Sequence, residues 1–262
     1  MLLGKTLVVT GVSSGIGART AELAIAQGAD VIGIDISDPP TTHGAFLKGD
    51  ISNPDGIAEI VRQLPQRFDA LLNVAGVSGT GGAAITLAIN FYGLRHFSET
   101  LAPNIREGGA VVNVASIAGY GWRGNLDRAK RMVGVQGFPD IAKVMADNEV
   151  RDEIGYPLSK ELLILWTQIA AHQPLFREHC IRVNAVSPGP VETPILKQFR
   201  DVLGDEKVDS DISRTGRAGT ASDIAPVILF AASDAARWIN GANLAADGGL
   251  EASINADVLG FK

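Results

Sequence analysis

Tyr156 and Lys160 stand four positions apart in the run Tyr156-Pro157-Leu158-Ser159-Lys160, a spacing that puts both side chains on one side of a helix. A free phenol ionises near pH 10, too high for an efficient base at neutral pH. A neighbouring ammonium favours the phenolate and lowers that value, so Lys160 is placed to tune Tyr156 as a proton-transfer group. Ser116 ends the run Ala110-Val111-Val112-Asn113-Val114-Ala115-Ser116. A hydroxyl there can donate a hydrogen bond to an oxygen whose charge changes during reaction. These three groups suit proton transfer to and from an alcohol or carbonyl oxygen, with a hydride moved by a partner.

A place for that partner lies near the start of the chain. Thr10-Gly11-Val12-Ser13-Ser14-Gly15-Ile16-Gly17 separates the apolar run Leu7-Val8-Val9 from an Ala-rich amphipathic segment, Ala18 to Gln27. This reads as strand, glycine turn and helix. Glycines at 11, 15 and 17 allow a tight bend, close backbone approach and helix-to-sheet packing, while free N–H groups at the helix start face an anion. The turn is a candidate pyrophosphate cradle, with Ser13, Ser14 and Ile16 among its contacts. The next apolar run, from Ala29, ends at Asp35, about 20 residues beyond the cradle, where a carboxylate can meet the adenosine ribose hydroxyls. Its charge would repel a 2′-phosphate, so the expected cofactor is NAD rather than NADP.

The remaining elements repeat this rhythm. A third strand, Ala45 to Lys48, leads to Gly49-Asp50-Ile51, and a helix follows with Asn53 as N-cap and Pro54 at its first position. A fourth strand, Asp69 to Val74, runs into Ala75-Gly76. A long helix, Ala84 to Ala102, carries Asn90, and the nearly continuous apolar character of the fifth strand suits a central parallel strand buried on both faces. A helix from Tyr156 to His172, a sixth strand from Ile181 to Val186, a helix from Ala221 to Ala232 and a last strand near Leu244 complete the pattern. The expected fold is a single α/β domain over residues 1–262, a Rossmann-type doubly wound parallel sheet of about seven strands with helices on both faces, its chemistry at the carboxyl ends of the strands.

Two stretches break the rhythm. Between about residues 119 and 155 no strand is predicted. Asn125 and then Pro139-Asp140 could each begin a short helix, which reads as an insertion that either covers the cleft or alters a subunit interface. Trp122, within it, either touches substrate or packs the helices. The charged stretch from about 194 to 219 reads as a mobile substrate lid.

With 262 residues, 46% of them hydrophobic, the chain can bury a large core. Its formal charge of -6 argues against a general nucleic-acid or anionic-membrane surface. Cys180 is the one cysteine and has no metal-ligand spacing to His43, His96, His172 or His179. It is expected near the start of a buried strand, and Trp166 in the core. Neither an apolar span of membrane length nor a signal-peptide pattern is seen. The expectation is a cytoplasmic enzyme without metal, acting on a small molecule.

The motifs together resemble the short-chain dehydrogenase/reductase family over nearly the whole chain. They are Thr10 to Gly17, Asp50-Ile51, Asn73-Val74-Ala75-Gly76, Asn90, Ser116, Tyr156 to Lys160, Pro188-Gly189 and Asp247-Gly248-Gly249. The resemblance implies a catalytic tetrad of Asn90, Ser116, Tyr156 and Lys160, with Asn90 serving a proton relay near Lys160. It implies that Asp50 and Ile51 flank adenine, that Asn73, Ala75 and Gly76 line the cofactor, that Pro188 and Gly189 adjoin it, and that Val191 and Thr193 meet the nicotinamide carboxamide. A homo-oligomer, dimer or tetramer, is implied as well. Val74 departs from the family's usual Asn at that place, a change the retained Asn73 and backbone are expected to tolerate.

The gap between Ser116 and Tyr156 is much longer than the family's usual one. Similar insertions occur in the 3α-hydroxysteroid dehydrogenase/carbonyl reductase type and in coniferyl-alcohol dehydrogenase-like members, and here the insertion puts the common four-helix-bundle dimer in question. Gln63-Leu64-Pro65 and Arg237-Trp238-Ile239-Asn240-Gly241 resemble the coniferyl-alcohol type more. The expected substrate is a bulky apolar alcohol, aryl-allylic first and hydroxysteroid second, in a cleft roofed by the insertion and the lid. A non-catalytic NAD-binding redox sensor is the alternative from another class.

Overall fold

The computed structural model describes residues 2–41 and 43–261. β1 (Thr6–Thr10) feeds α1 (Gly15–Ala26), followed by β2 (Asp30–Asp35), β3 (Ala45–Lys48), α2 (Pro54–Gln63) and β4 (Phe68–Asn73). α3 (Ala83–Leu87) continues through a π-helical turn, Ala88–Gly93, into α4 (Leu94–Leu101), and β5 (Ile105–Val114) comes next. The expected Asn53 cap is present, its Oδ1 accepting from Gly56 N at 2.8 Å.

The insertion forms α5 (Leu126–Gly134) and α6 (Ile141–Asp147) and leads into α7 (Gly155–Ala170) and α8 (Pro174–Arg177). Then come β6 (Arg182–Pro188), β7 (Val191–Glu192), α9 (Pro194–Leu203), α10 (Asp205–Thr215), β8 (Gly219–Thr220), α11 (Ala221–Ala232), β9 (Asn243–Ala246) and α12 (Leu250–Val258).

Seven parallel strands pair in the order β3-β2-β1-β4-β5-β6-β9, as the doubly wound reading expects. The order reverses beside β1, which pairs with β2 on one side and β4 on the other. Ligands of open α/β sheets bind at such a switch point, outside the strand carboxyl ends. One apolar cluster packs α2, α4 and α7 on one face of the sheet, with Ile60, Phe97 and Trp166 among its residues. A second packs α1 and α11 on the other, through Ala21, Ala24 and Ile228.

The insertion does not roof the cleft. It is fastened instead to the outer side of α4 and α7. Arg95 on α4, only 2% exposed, donates to the carbonyls of Val133 at 2.9 Å, Val135 at 2.5 Å and Gly137 at 2.7 Å. Its guanidinium also lies over the rings of Phe91 and Tyr92. Ala129, Met132 and Val133 of α5 are buried, and of the residues of α7 only Pro157, Gln168 and Ile169 escape burial. α7 is thus covered largely by its own chain, with the insertion packed along it. Asn125 does not cap α5 with its side chain but donates to Glu161 Oε1 at 3.0 Å.

The stretch expected as a lid, about 194–219, holds two helices, α9 and α10, whose base is clasped where β7 pairs with β8. Pro194, at the first turn of α9, was the signal for a helix start. α12 was not expected; it is tied to the lid by Arg214, which meets Asp257 at 2.7 Å and Ser253 Oγ at 2.8 Å. Cys180 lies two residues before the buried β6, near the strand start as expected, and is itself exposed.

Candidate active site

At the start of α1, Ser14 occupies the cap position without a side-chain hydrogen bond, leaving first-turn N–H groups free of side-chain capping. The glycines there are required by close approach. A Cβ on Gly17 would lie 2.0 Å from the carbonyl oxygen of Gly11, and one on Gly11 would lie 2.8 Å from Ala75 backbone atoms. Thr10 Oγ1 accepts from Val74 N and Ala75 N, both at 3.0 Å, and so locks the ends of β1 and β4 together.

Asp35, at the end of β2, accepts from Ser13 N at 3.0 Å and from Ser37 N at 3.1 Å. Each carboxylate oxygen retains capacity for a further donor such as a ribose hydroxyl. Asp50 accepts from Ser52 N at 2.7 Å and Ser52 Oγ at 2.8 Å, shaping the loop that carries Ile51.

A cleft of about 760 Å³ joins these pieces to the proton-transfer residues. Gly11, Ser13 to Gly17, Asp35, Asp50, Ile51, Ala75, Gly76, Ser116, Tyr156, Lys160, Pro188, Gly189, Val191 and Thr193 all line it. Asn73 does not. It is buried beneath the strand ends, where its amide donates to Ser98 Oγ at 2.8 Å and Asn113 Oδ1 at 2.9 Å, while Asn113 donates to Thr167 Oγ1 at 3.0 Å. Asn73 therefore pins β4 to β5, and it is not among the residues that line the cleft.

Tyr156 shares the cleft wall with Ser116 and is 7% exposed. Burial pushes its phenol up to about 12, the Ser116 hydroxyl opposing that only in part. The net shift is thus upward, the reverse of the expected tuning, because desolvation of a phenolate outweighs the help of the Ser116 hydroxyl. Lys160 is 5% exposed, donates to the Val114 carbonyl at 2.9 Å and lies 5.8 Å from the Tyr156 ring centroid. Burial pulls its ammonium down to about 8.

Asn90 sits in the π-helical turn, an irregularity frequent at functional sites. Its Oδ1 accepts from Val77 N and its Nδ2 donates to Val77 O, both at 2.9 Å. A Cβ on Gly76 would fall 3.2 Å from Asn90 Oδ1 and 3.7 Å from Lys160 Nζ. Glycine at 76 keeps the space between them clear.

The lid supplies residues that the sequence reading missed. Phe199 on α9 lies against Tyr156, ring centroids 4.7 Å apart, and Gln198 Oε1 accepts from the buried Ser78 Oγ at 2.7 Å. Val77, Ile85, Ile89 and Ile195 add apolar wall. Ile195 and Phe199, four apart behind Pro194, carried a helical signal that the surrounding charges obscured. No residue of the insertion lines this cleft. Trp122 packs against the core, and Arg123, Arg128, Arg131 and Arg151 border a separate cavity.

The cradle, the oriented carboxylate and the proton-transfer pair share one cleft at the switch point, and known sequences match on both sides of the insertion. Residues 5–126 match the family model described as short chain dehydrogenase, and residues 140–251 the model described as Enoyl-(Acyl carrier protein) reductase. A coniferyl-alcohol dehydrogenase from a Pseudomonas species is 42% identical over 95% of this chain and 97% of its own length. The chain belongs to the short-chain dehydrogenase/reductase family. Comamonas testosteroni 3-alpha-hydroxysteroid dehydrogenase/carbonyl reductase is 28% identical to this short-chain dehydrogenase/reductase, over 94% of the chain and 96% of the relative. The crystal structure of a Pseudomonas 3-alpha-hydroxysteroid dehydrogenase complexed with NADH superposes with a TM-score of 0.82 at 27% identity, covering 96% of this chain and 98% of that one. Among the described residues, no helix of this short-chain dehydrogenase/reductase is long and apolar enough to cross a membrane.

Proposed function

We propose that this protein is an NAD-dependent alcohol dehydrogenase that interconverts a bulky apolar alcohol, of the aryl-allylic coniferyl type, with its aldehyde. The observation that carries the reading is that Ser116, Tyr156 and Lys160 converge in the cleft that also holds Asp35, with Lys160 fixed to the Val114 carbonyl. The 42% identity to a coniferyl-alcohol dehydrogenase supports the substrate class.

The first turn of α1, with Gly11 and Gly17 held close, fits a pyrophosphate, and Asp35 fits a ribose diol. Asp50, Ile51, Ala75, Gly76, Pro188, Gly189, Val191 and Thr193 would form the rest of that site. NAD supplies the hydride acceptor when bound. Ser116 donates to the reacting oxygen and holds it beside the Tyr156 hydroxyl. In the reducing direction Tyr156 gives its proton to that oxygen, the direction to which a phenol near 12 is already disposed. In the oxidising direction it must first be a phenolate. Positive charge favours that form, and Lys160, near 8, is mostly charged at neutral pH. Asn90 and Lys160 flank the gap at Gly76 through which the proton is relayed outward.

The same reading has the enzyme in the cytoplasm, where its single cysteine needs no oxidising compartment, and as a homo-oligomer joined away from α4 and α7. NADH formation with coniferyl alcohol, a 3α-hydroxysteroid and simple aliphatic alcohols, repeated with NADP, tests it. Efficient turnover of coniferyl alcohol with NAD is expected. Preference for the steroid would favour the hydroxysteroid reading, which the relatives of that type support. NAD binding without turnover of any alcohol would favour a redox sensor.

A further inference from the structure

Among the described residues lining the cleft, only two carry aromatic rings, Tyr156 and Phe199. Their centroids are 4.7 Å apart with the planes tilted by 57°. Phe199 is therefore the ring beside the reacting hydroxyl, and its position is set by the structure rather than left to chance. α9 grows from the clasped β7 and β8, and the preceding side chain, Gln198, is held at 2.7 Å by Ser78, which is wholly buried. Ile195, one turn earlier, faces the same cleft, and Ile85 and Ile89 line it from α3 and its π-helical extension. Around the proton-transfer groups the wall is thus mainly apolar, with Phe199 the one aromatic surface among aliphatic ones.

We infer that Phe199 is the specificity-determining residue that selects a planar, unsaturated group next to the carbinol carbon, and that the Ser78–Gln198 bond is what positions it. The inference rests on the alcohol dehydrogenase reading above and deepens it. Aliphatic walls accept flat and puckered groups alike, because hydrophobic burial follows area rather than shape. An aromatic ring adds an edge-to-face or offset-stacked attraction that only another π-system returns. Phe199 adjoins Tyr156, so that attraction acts where the substrate must be aligned for proton transfer.

The test compares kcat/KM for cinnamyl alcohol with that for its fully saturated cyclohexyl counterpart, using NAD and the full chain. The wild type is expected to prefer cinnamyl alcohol. Phe199→Leu should lower that preference about 3- to 10-fold, whatever loss the two substrates share, and Phe199→Tyr should keep it within about twofold. Ser78→Ala should move the preference in the same direction by less, Ser78→Thr should restore it, and adding Ser78→Ala to Phe199→Leu should lower it no further. NADH titration establishes that each variant is folded. A cinnamyl preference that survives Phe199→Leu overturns the inference and leaves the aryl-allylic reading standing. A wild type that prefers the saturated alcohol, or turns over neither, overturns that reading and the inference with it, and the wild-type data alone reveal it.

Discussion

The ammonium of Lys160 donates to the carbonyl of Val114 at 2.9 Å, which fastens the helix bearing Tyr156 to the strand that leads into Ser116. The bond fixes the geometry of the proton-transfer pair, and it does so by burying a charge. The lysine, ordinarily near 10.5, titrates near 8 in the fold. The unfolded chain therefore binds more protons between those values, so the stability lost to the buried charge is greatest below about pH 8 and is recovered as pH rises towards 10.5.

Lys160→Met should accordingly be more stable than the wild type at pH 7, by up to about 3 kcal/mol from the shift alone, with the lost Val114 bond offsetting part of it. The gap should narrow through pH 9 and close near 10.5. Urea melts at those three pH values measure it. A gap independent of pH would mean that Lys160 is not the buried charge described here. The variant should also lose turnover.

Tyr156→Phe should lower turnover about 10²- to 10⁴-fold, the usual contribution of positioned acid–base catalysis, with NADH affinity unchanged. The oxidative rate should rise with pH as the phenolate forms, and the reductive rate should fall where the phenol is lost. Steady-state profiles in both directions, beside an NADH fluorescence titration, test both halves. Retained turnover would remove Tyr156 from the chemistry.

Asp35 is held from two sides by Ser13 N and Ser37 N, so its carboxylate cannot easily swing away from a 2′-phosphate. Asp35→Asn should improve NADP relative to NAD by at least about tenfold, the effect of removing about 1.4 kcal/mol of like-charge repulsion. The ratio of the two kcat/KM values is the readout. Equal efficiency of the two cofactors in the wild type would show that Asp35 does not discriminate.

Arg95 satisfies three carbonyls of the insertion from a position that is 2% exposed. Arg95→Met removes the donors and leaves those carbonyls without them, which should cost about 3–5 kcal/mol. Because the insertion is absent from the catalytic cleft, hydrogen exchange should rise first across residues 126–147, with the cradle at 11–17 protected as before. Exchange that rises equally everywhere would mean that Arg95 supports the whole domain rather than the insertion.

Local order was written plainly in the sequence. The alternation of apolar runs with capped amphipathic helices gives seven parallel strands, and Asn53 with Pro54 marks a helix start through a bond made within one turn. Chemistry with a fixed local spacing was legible too. Gly11 to Gly17 form one turn and Tyr156 and Lys160 one helical face, and chain connectivity brings each group together whatever the surroundings. What only the tertiary structure decided concerns contacts between distant segments. Asn73 lies within a motif beside the cleft yet turns down to Asn113, because a buried amide must find partners. The insertion folds over α4 and α7 because Arg95, some 40 residues away, carries the donors its carbonyls need. Phe199 reaches Tyr156 across the cleft from a charged segment. The direction of the Tyr156 shift was likewise out of reach of the sequence, since a neighbouring lysine can be read from spacing, whereas the depth of burial that raises the phenol exists only once the chain has folded.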